Sequence, residues 1–196
     1  MTYTLLKFAH VLGAILMGGG LIAVWLSDLR SRQLHELPRF AEAVRNIAVF
    51  YDGVVVPGAI LLLVSGTWLN IEFFGGWGFI KVPWLAGMVI LFAFEFIEGN
   101  TITRLYFMRL RKLTNEAQGV GGFTPQLERA RAESVATFTH FLDLPILFLI
   151  VALGVIKPAT WAPFLAGLVA SITIAIALTI YIPRLYPWGI QQEGSK

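Results

Sequence analysis

Five long apolar segments dominate the chain, and short polar or charged stretches separate them. The segments are continuous in hydrophobic residues and do not alternate, which favours membrane-spanning helices over the strands of a barrel. The pattern predicts an all-α, multi-pass membrane protein with five transmembrane helices, at about residues 4–27, 48–70, 82–106, 134–156 and 162–183. We expect one transmembrane domain over residues 1–196, in which four helices form a bundle and the C-terminal helix is an addition.

The composition agrees with this interpretation, since 57% of the residues are hydrophobic, 14% are charged and the mean hydropathy is +0.72. The expected surroundings are therefore a lipid bilayer, and nucleic acid is not an expected partner. Cysteine is absent, which excludes disulfides, thiolate metal sites and covalent attachment of c-type haem. A metal ion would need nitrogen or oxygen ligands.

Basic residues are distributed unevenly between the two ends of the predicted helices. One set of connections, with the C-terminal tail, holds most of the 15 Lys and Arg residues, namely Arg30, Arg32, Arg39, Arg45, Arg104, Arg109, Arg111, Lys112, Arg129, Arg131, Arg184 and Lys196. The other set holds Lys7, Lys81 and Lys157. Because Lys and Arg are retained in the cytoplasm, the N-terminus is predicted outside and the C-terminus inside, in a bacterial inner membrane.

The longer connections carry further expectations. Residues 27–46 are charged and predict a short amphipathic helix near the inner surface. Residues 114–125 contain several glycines and predict a mobile loop. Residues 126–133 are expected to begin the fourth helix before it enters the membrane.

Ionisable residues converge on one depth near the inner end of the helices. At about 1.5 Å of rise per residue, Asp52, Glu98 and His140 lie at a similar height, with Glu95 and Asp143 one turn nearer the centre. The spacing of each of the pairs Glu95/Glu98 and His140/Asp143 lets both members face one neighbour. Acids at this depth are costly, which makes a proton relay or a site for a divalent metal a functional hypothesis.

A structural interpretation of these residues stays open. Asp52 could cap the second helix, Glu98 could pair with Arg104, and Asp143 could pair with His140 in an interhelical hydrogen-bond network. The chain lacks the paired Glu-x-x-His motif of di-iron bundles, which argues against that kind of centre.

A second group of residues lies toward the outer end. His10 on the first helix and Lys81 at the start of the third are accompanied by the aromatic residues Tyr3, Trp77 and Trp84. An imidazole can ligate haem iron, and Gly13 and Gly20 leave room beside the first helix for a flat ring or for a close helix neighbour. A lone histidine is also typical of a hydrogen-bonded core position.

Four groups of short motifs follow one another along the chain. They are Lys7-Phe8-x-His10-Val11-x-Gly13 with Gly20-Leu21, Pro57 through Gly66-x-Trp68-Leu69, Gly76-Trp77 ahead of Lys81, and Phe141-x-Asp143-x-Pro145 leading to Lys157-Pro158. In these motifs the chain resembles HemJ-type protoporphyrinogen oxidases, CopD-like copper-resistance proteins and a related family of predicted integral membrane proteins of unknown function. It resembles the unknown-function family more than the HemJ type, from which it departs at residues 22–26 and by its fifth helix.

The HemJ resemblance implies a b-type haem or porphyrin, with His10 as axial ligand and Lys81, Gly13 and Gly20 at the cofactor. It implies a redox or electron-transfer role, as in a protoporphyrinogen-oxidase-like oxidoreductase, with a quinone or another electron-transfer partner. Under this hypothesis Glu95, His140 and Asp143 relay protons and form the catalytic group.

Two other functions remain open at this point. One is a haem-free transporter coupled to protons or a divalent metal, which would use Asp52, Glu95, Glu98, His140 and Asp143. The other is an accessory subunit of a larger membrane complex, or a homo-oligomer, that packs through its glycine faces.

Overall fold

The computed structural model describes residues 2–186, and these residues contain helices and turns but no strand. Lys196, counted above among the basic residues, lies outside the described part of the chain. The helices are α1 Thr2–Arg32, α2 Leu37–Phe50, α3 Val56–Phe73, α4 Pro83–Glu98, α5 Arg104–Val120, α6 Pro125–Arg131, α7 Ser134–Ile156 and α8 Ala162–Leu185. Five helical runs are long and apolar enough to cross a membrane, which confirms the predicted fold class.

Two of these runs join a pair of α-helices through a π-helical turn. The turn Tyr51–Val55 joins α2 to α3, and the turn Gly99–Thr103 joins α4 to α5. A π-helical turn widens the helix by one residue per turn and often occurs at functional sites. Each run therefore continues from the apolar span into the charged end of the molecule, over Leu37–Phe73 and Pro83–Val120.

The connections at the charged end contain more helix than the sequence analysis predicted. The prediction of a loop over residues 114–125 is wrong for the residues up to Val120, because α5 continues to that residue. Gly121 then ends the helix in a left-handed conformation with φ 81°. Residues 126–133 lie mostly in α6, which a break at Ala132 and Glu133 separates from α7, and the two helices together form the fourth helical run, Pro125–Ile156. Thr124 caps α6 by accepting a hydrogen bond of 3.3 Å from the Leu127 N–H.

The span formed by α7 lies at the centre of the bundle. It packs against α1, α4 and α8, whereas α8 packs mainly against α7. In the run that contains α7, 61% of the residues of an apolar 18-residue stretch are buried. The corresponding share for α8 is 17%. Side chains on α7 consequently face the interior on several sides, and α8 lies at the periphery.

Glycines allow α1 and α3 to pack closely. A Cβ atom at Gly58 on α3 would lie 2.5 Å from the Met17 nitrogen, and one at Gly13 on α1 would lie 2.9 Å from the Leu62 nitrogen. A Cβ at Gly20 would lie 2.7 Å from a methyl group of Val55. Of the two interpretations of the α1 glycines, the structure contains the close helix neighbour, because α3 lies against Gly13 and the π-helical turn Tyr51–Val55 lies against Gly20, where a ring was expected.

We call the end of the bundle that carries α2, α5 and α6 the basic end, and the end that carries the 3-10 turn Gly76–Lys81 the aromatic end. At the basic end, the buried Arg131 lies between two aromatic rings, 4.5 Å from the centroid of Phe40 and 4.7 Å from that of Phe123. It also forms an ion pair of 3.0 Å with Glu128. These contacts join α2 to α6 and close the bundle below the membrane spans.

Candidate functional site

Four ionisable side chains meet where α4 packs against α7. Glu95 and Glu98 on α4 are each 5% exposed, and His140 and Asp143 on α7 are 2% and 4% exposed. Their three-residue spacing places each pair on one face of its helix, as the sequence predicted. The structure thus assembles four of the five residues expected at the inner depth.

The fifth expected residue, Asp52, lies elsewhere. Its side chain is 48% exposed and forms a salt bridge of 3.0 Å with Arg104, so it does not join the buried group. Its neighbour Tyr51 points into the bundle and is 6% exposed. Because adjacent residues of a helix point in different directions, Asp52 faces outward, and its predicted membership of the inner cluster is corrected.

An ion pair on α1 completes the buried group. The Arg32 Nε donates a hydrogen bond of 2.8 Å to the Asp28 Oδ2, and both side chains are 2% exposed. Arg32 was predicted to lie in a connection near the inner surface, and Asp28 was not predicted to belong to the site. Their opposite charges at a four-residue spacing, one turn beyond an apolar span, are the signal that could have identified them.

His140 lies between the two acids that flank it. Its Nε2 is 3.8 Å from the Asp28 Oδ2, and its Nδ1 is 3.7 Å from the Asp143 Oδ2. These distances exceed those of direct hydrogen bonds, and within the described residues both buried ring nitrogens lack a hydrogen-bond partner. The ring packs on Phe107 and Phe141 at centroid distances of 5.2 and 5.5 Å. We call Asp28, Glu95, Glu98, His140 and Asp143 the acid–histidine cluster.

Glu98 is the acid of the α4–α7 group whose carboxyl group accepts a hydrogen bond. It accepts a hydrogen bond of 2.7 Å from the Thr103 hydroxyl, which lies 3.3 Å from the Thr139 hydroxyl. Its carboxyl group also lies close enough to that of Asp143 to interact with it. In contrast, Glu95 Oε1 and Asp143 Oδ2 are buried without a hydrogen-bond partner in the described part of the chain.

The two π-helical turns meet beside the cluster. The Tyr51 hydroxyl donates a hydrogen bond of 2.7 Å to the Gly99 carbonyl, so the first residue of one turn contacts the first residue of the other. A Cβ atom at position 99 would lie 2.8 Å from that hydroxyl, which explains the glycine. The turns therefore position Tyr51 next to the buried carboxyl groups.

A cavity of about 110 Å³ lies at this place, between α1, the two π-helical turns and α7. Tyr51, Glu95, Asn100 and Asp143 form its polar part, and the remaining wall is largely apolar. A water molecule occupies about 30 Å³ of liquid, so the cavity holds several small groups. Its wall includes Ile60, which is 49% exposed, and the cavity therefore opens toward the lipid-facing surface.

The residues predicted at the outer end are not assembled in the same way. His10 is half-buried between α1 and α3, and its Nδ1 lies 3.2 Å from the Ser65 hydroxyl oxygen. Lys81 ends the 3-10 turn at the aromatic end, where it is exposed, and no hydrogen bond or ion pair joins it to another described residue. Of the predicted companions, Gly13 is covered by α3 and Gly20 by the π-helical turn Tyr51–Val55.

The geometry of the described residues contains no group of three His, Asp or Glu side chains arranged to hold a metal ion. The cluster does contain acceptors and donors for protons at short separations.

Five apolar helical spans around a buried ionisable cluster define a multi-pass integral membrane protein. Residues 4–158 match the family described as predicted integral membrane protein (DUF2269), and the chain belongs to that family. The match extends from α1 through α7 and leaves α8 outside it. No curated protein and no solved structure matches the chain. Membership confirms the predicted membrane family, whose description names no ligand or reaction.

Proposed function

We propose that this membrane protein is a proton-coupled transporter whose acid–histidine cluster takes up and transfers protons. The observation that carries the proposal is the set of buried, unpartnered polar atoms at one place: both ring nitrogens of His140, Oδ2 of Asp143 and Oε1 of Glu95. Polar groups buried without partners cost free energy, and proteins retain them mainly where they have a function.

The charge balance of the cluster supports proton exchange. Asp28 is compensated by Arg32, which leaves the carboxyl groups of Glu95, Glu98 and Asp143 close to one another, with Asp143 beside His140. Three ionised carboxylates around one imidazole would repel one another in a medium of low dielectric constant. Protons bound by the carboxyl groups or by His140 remove that repulsion, and their movement changes the charge of the whole group.

The arrangement also suggests a direction of transfer. Glu95 and Asp143 contact the cavity on the lipid-facing side, whereas Asp28 lies beside Arg32, near the end of α1 at the basic end. His140 is within 3.8 Å of Asp28 and 3.7 Å of Asp143. A small rotation of the imidazole, or one bridging water, closes either gap. We therefore propose His140 as the carrier of protons between the cavity and the basic end.

Proton flux into liposomes containing the purified chain tests this proposal. A pH gradient, acidic outside, would drive protons inward, and a trapped pH-sensitive dye would report them. We expect Glu95→Gln and Asp143→Asn to lower the flux by about 100-fold, because each removes a proton-binding carboxyl group. Asp52→Asn is the matched control, since it neutralises an acid that is 48% exposed.

The same variants have a readout that needs no transport. Infrared difference spectra recorded across a pH step should contain a carboxyl C=O band that disappears in Glu95→Gln or Asp143→Asn and persists in Asp52→Asn. Flux and spectra that are identical in all three variants and the parent would overturn the proposal.

A redox function with a b-type haem is a second candidate, and the surroundings of His10 favour it. The Ser65 hydroxyl donates to the Leu61 carbonyl, so its oxygen accepts from the His10 Nδ1. This places the ring proton on Nδ1 and leaves the Nε2 lone pair for a ligand, as in haem and metal sites. Because α3 covers Gly13 and the π-helical turn Tyr51–Val55 covers Gly20, a porphyrin would bind beside the α1–α3 pair and not within it.

Oxidised and reduced absorption spectra, with pyridine extraction to quantify haem, test this candidate. His10 would be the axial ligand and Lys81 the partner of a propionate, and the bound group would supply electron transfer. A stoichiometric b-type signal that is lost in His10→Ala and retained in His35→Ala, an exposed histidine, would support it. A chain that shows no such signal after haem is added back would exclude it.

A further inference from the structure

The polar part of the cavity presents hydrogen-bond acceptors. Glu95 Oε1 and Asp143 Oδ2 have no hydrogen-bond partner in the described structure, although the two residues are only 5% and 4% exposed. The Asn100 amide donates 2.8 Å to the Phe96 carbonyl, and the Tyr51 hydroxyl donates 2.7 Å to the Gly99 carbonyl. Their oxygen atoms remain as acceptors. An occupant that satisfies this end of the cavity must therefore donate several hydrogen bonds.

The charges around the cavity favour a cation. No Lys, Arg or His is among the described residues that line it, and two of the lining residues are acids. An anion at this place would face the carboxyl groups of Glu95 and Asp143 with nothing to compensate it. An ammonium group has three N–H donors and a positive charge, which match both the acceptors and the acids.

The remaining wall fits an apolar body. Met17 and Leu21 of α1, with Ala59 of α3, provide hydrocarbon contacts next to the acids. On the open side, Ile60 is 49% exposed and Phe96 is half-buried, so the cavity reaches the surface that faces lipid. A volume of about 110 Å³ accommodates a head group and the first carbons of a chain, while the rest of the chain would remain in the bilayer.

We infer that this cavity is a binding site for a primary alkylammonium ion that enters from the bilayer, which rests on the proposed function because Glu95 and Asp143 are the acids assigned there to proton transfer. The substrate class of the transporter is thus a lipophilic amine with N–H donors.

Binding and proton transfer are coupled by charge. When an alkylammonium ion enters, one protonated carboxyl group of the Glu95 and Asp143 pair loses its proton and becomes the counter-ion of the ammonium group. The proton passes to His140 and leaves toward the basic end, so the cavity gains no net charge. Exchange of an amine cation for a proton follows from this balance.

Binding of radiolabelled decylamine to the purified full-length chain tests the inference. We expect saturable binding that is weakened about tenfold or more by Glu95→Gln and by Asp143→Asn and is unchanged in Asp52→Asn. Decyltrimethylammonium, which has the charge but no N–H donor, should compete at least about tenfold less well. Equal binding by all variants, or equal competition by the two compounds, would overturn the inference.

A cavity-filling variant tests the site independently, in case the acid variants lose binding because they fail to fold. Ala59 is 7% exposed and lines the cavity, so Ala59→Phe should block the amine while both carboxyl groups and their infrared band remain. Unchanged amine binding in this variant would place the amine elsewhere.

The two proposals fail in different ways. Proton flux that depends on Glu95 and Asp143, without saturable amine binding, would reject the amine site and leave proton transfer standing. Saturable amine binding that releases no proton and supports no flux would reject proton-coupled transport and leave the binding site standing.

Discussion

Arg32 is a buried cation, and Asp28 one turn earlier on the same helix compensates its charge. The two groups are joined at 2.8 Å, and both are 2% exposed. Taking a charge out of water costs several kcal/mol unless an opposite charge and hydrogen bonds replace the solvent. The same carboxylate lies 3.8 Å from the His140 Nε2, so Asp28 connects the structural ion pair to the acid–histidine cluster.

Asp28→Asn removes the carboxylate that lies 2.8 Å from the Arg32 Nε inside the bundle. We expect the free energy of unfolding to fall by about 3–5 kcal/mol, measured by denaturant unfolding in detergent. The matched control is Glu36→Gln, which removes an exposed partner of Arg39 at 3.2 Å and should cost less than about 1 kcal/mol. Similar losses in the two variants would contradict a compensating role for Asp28.

The π-helical turns and the glycine contacts determine how the spans fit together. The turn Tyr51–Val55 packs against α1 beside Gly20, and the turn Gly99–Thr103 receives the hydroxyl of Tyr51. Each turn changes the direction of the side chains that follow it along the helix. The cavity lies between the two turns, so its polar part depends on their geometry.

Tyr51→Phe tests the contact between the two turns. It removes the hydrogen bond to the Gly99 carbonyl and leaves the ring in place, and we expect a loss of about 0.5–1.5 kcal/mol in unfolding free energy. Thermal unfolding in detergent measures the change. Tyr3→Phe, at a residue that is 43% exposed, should have no effect, and an equal shift in both variants would contradict the predicted link.

Gly58→Ala tests the close packing of α1 and α3. The new methyl group would lie 2.5 Å from the Met17 nitrogen, so the helices must separate, and we expect a destabilisation of about 1–3 kcal/mol. Gly19→Ala is the control, because a Cβ there meets nothing within 4 Å. Chemical unfolding of both variants in one detergent provides the comparison. A Gly58→Ala protein as stable as Gly19→Ala would show that the helices tolerate separation.

The whole molecule is asymmetric from one end to the other. The basic end carries the amphipathic helices α2, α5 and α6, and the aromatic end carries Trp77 and Trp161, which are 83% and 41% exposed. Retention of basic residues on the cytoplasmic side predicts that the basic end faces inward. With five spans, this orientation places the N-terminus outside.

Single cysteines can test the orientation directly, because the natural chain has none. A Cβ at Gly78 on the aromatic end, or at Gly119 on the basic end, meets nothing within 4 Å, so cysteine fits at both positions. We expect a membrane-impermeant maleimide to label Gly78→Cys in intact cells, and to label Gly119→Cys only after the membrane is opened. The reverse pattern would contradict the predicted topology.

Part of the site could be predicted from residues alone, and part could not. The paired acids and histidine of α4 and α7 follow from a three-residue spacing, which holds in any straight helix. The position of Asp52 could not be predicted, because its height along the axis says nothing about the direction of its side chain. The burial of Asp28 and Arg32 was missed because residues 27–46 were predicted as a charged segment near the inner surface, whereas α2 and α7 pack against α1 and both side chains are buried.

The sequence by itself determined the class of protein, the five apolar spans and the depth of the ionisable residues. The physical reason is that a bilayer requires continuous apolar helices of a certain length, and a fixed rise per residue converts position into height. Only the tertiary structure decided which side chains meet. The π-helical turns rotate the helix faces, the glycines of α1 and α3 set the distance between helices, and the contact of α4 with α7 brings Glu95 and Asp143 to one cavity.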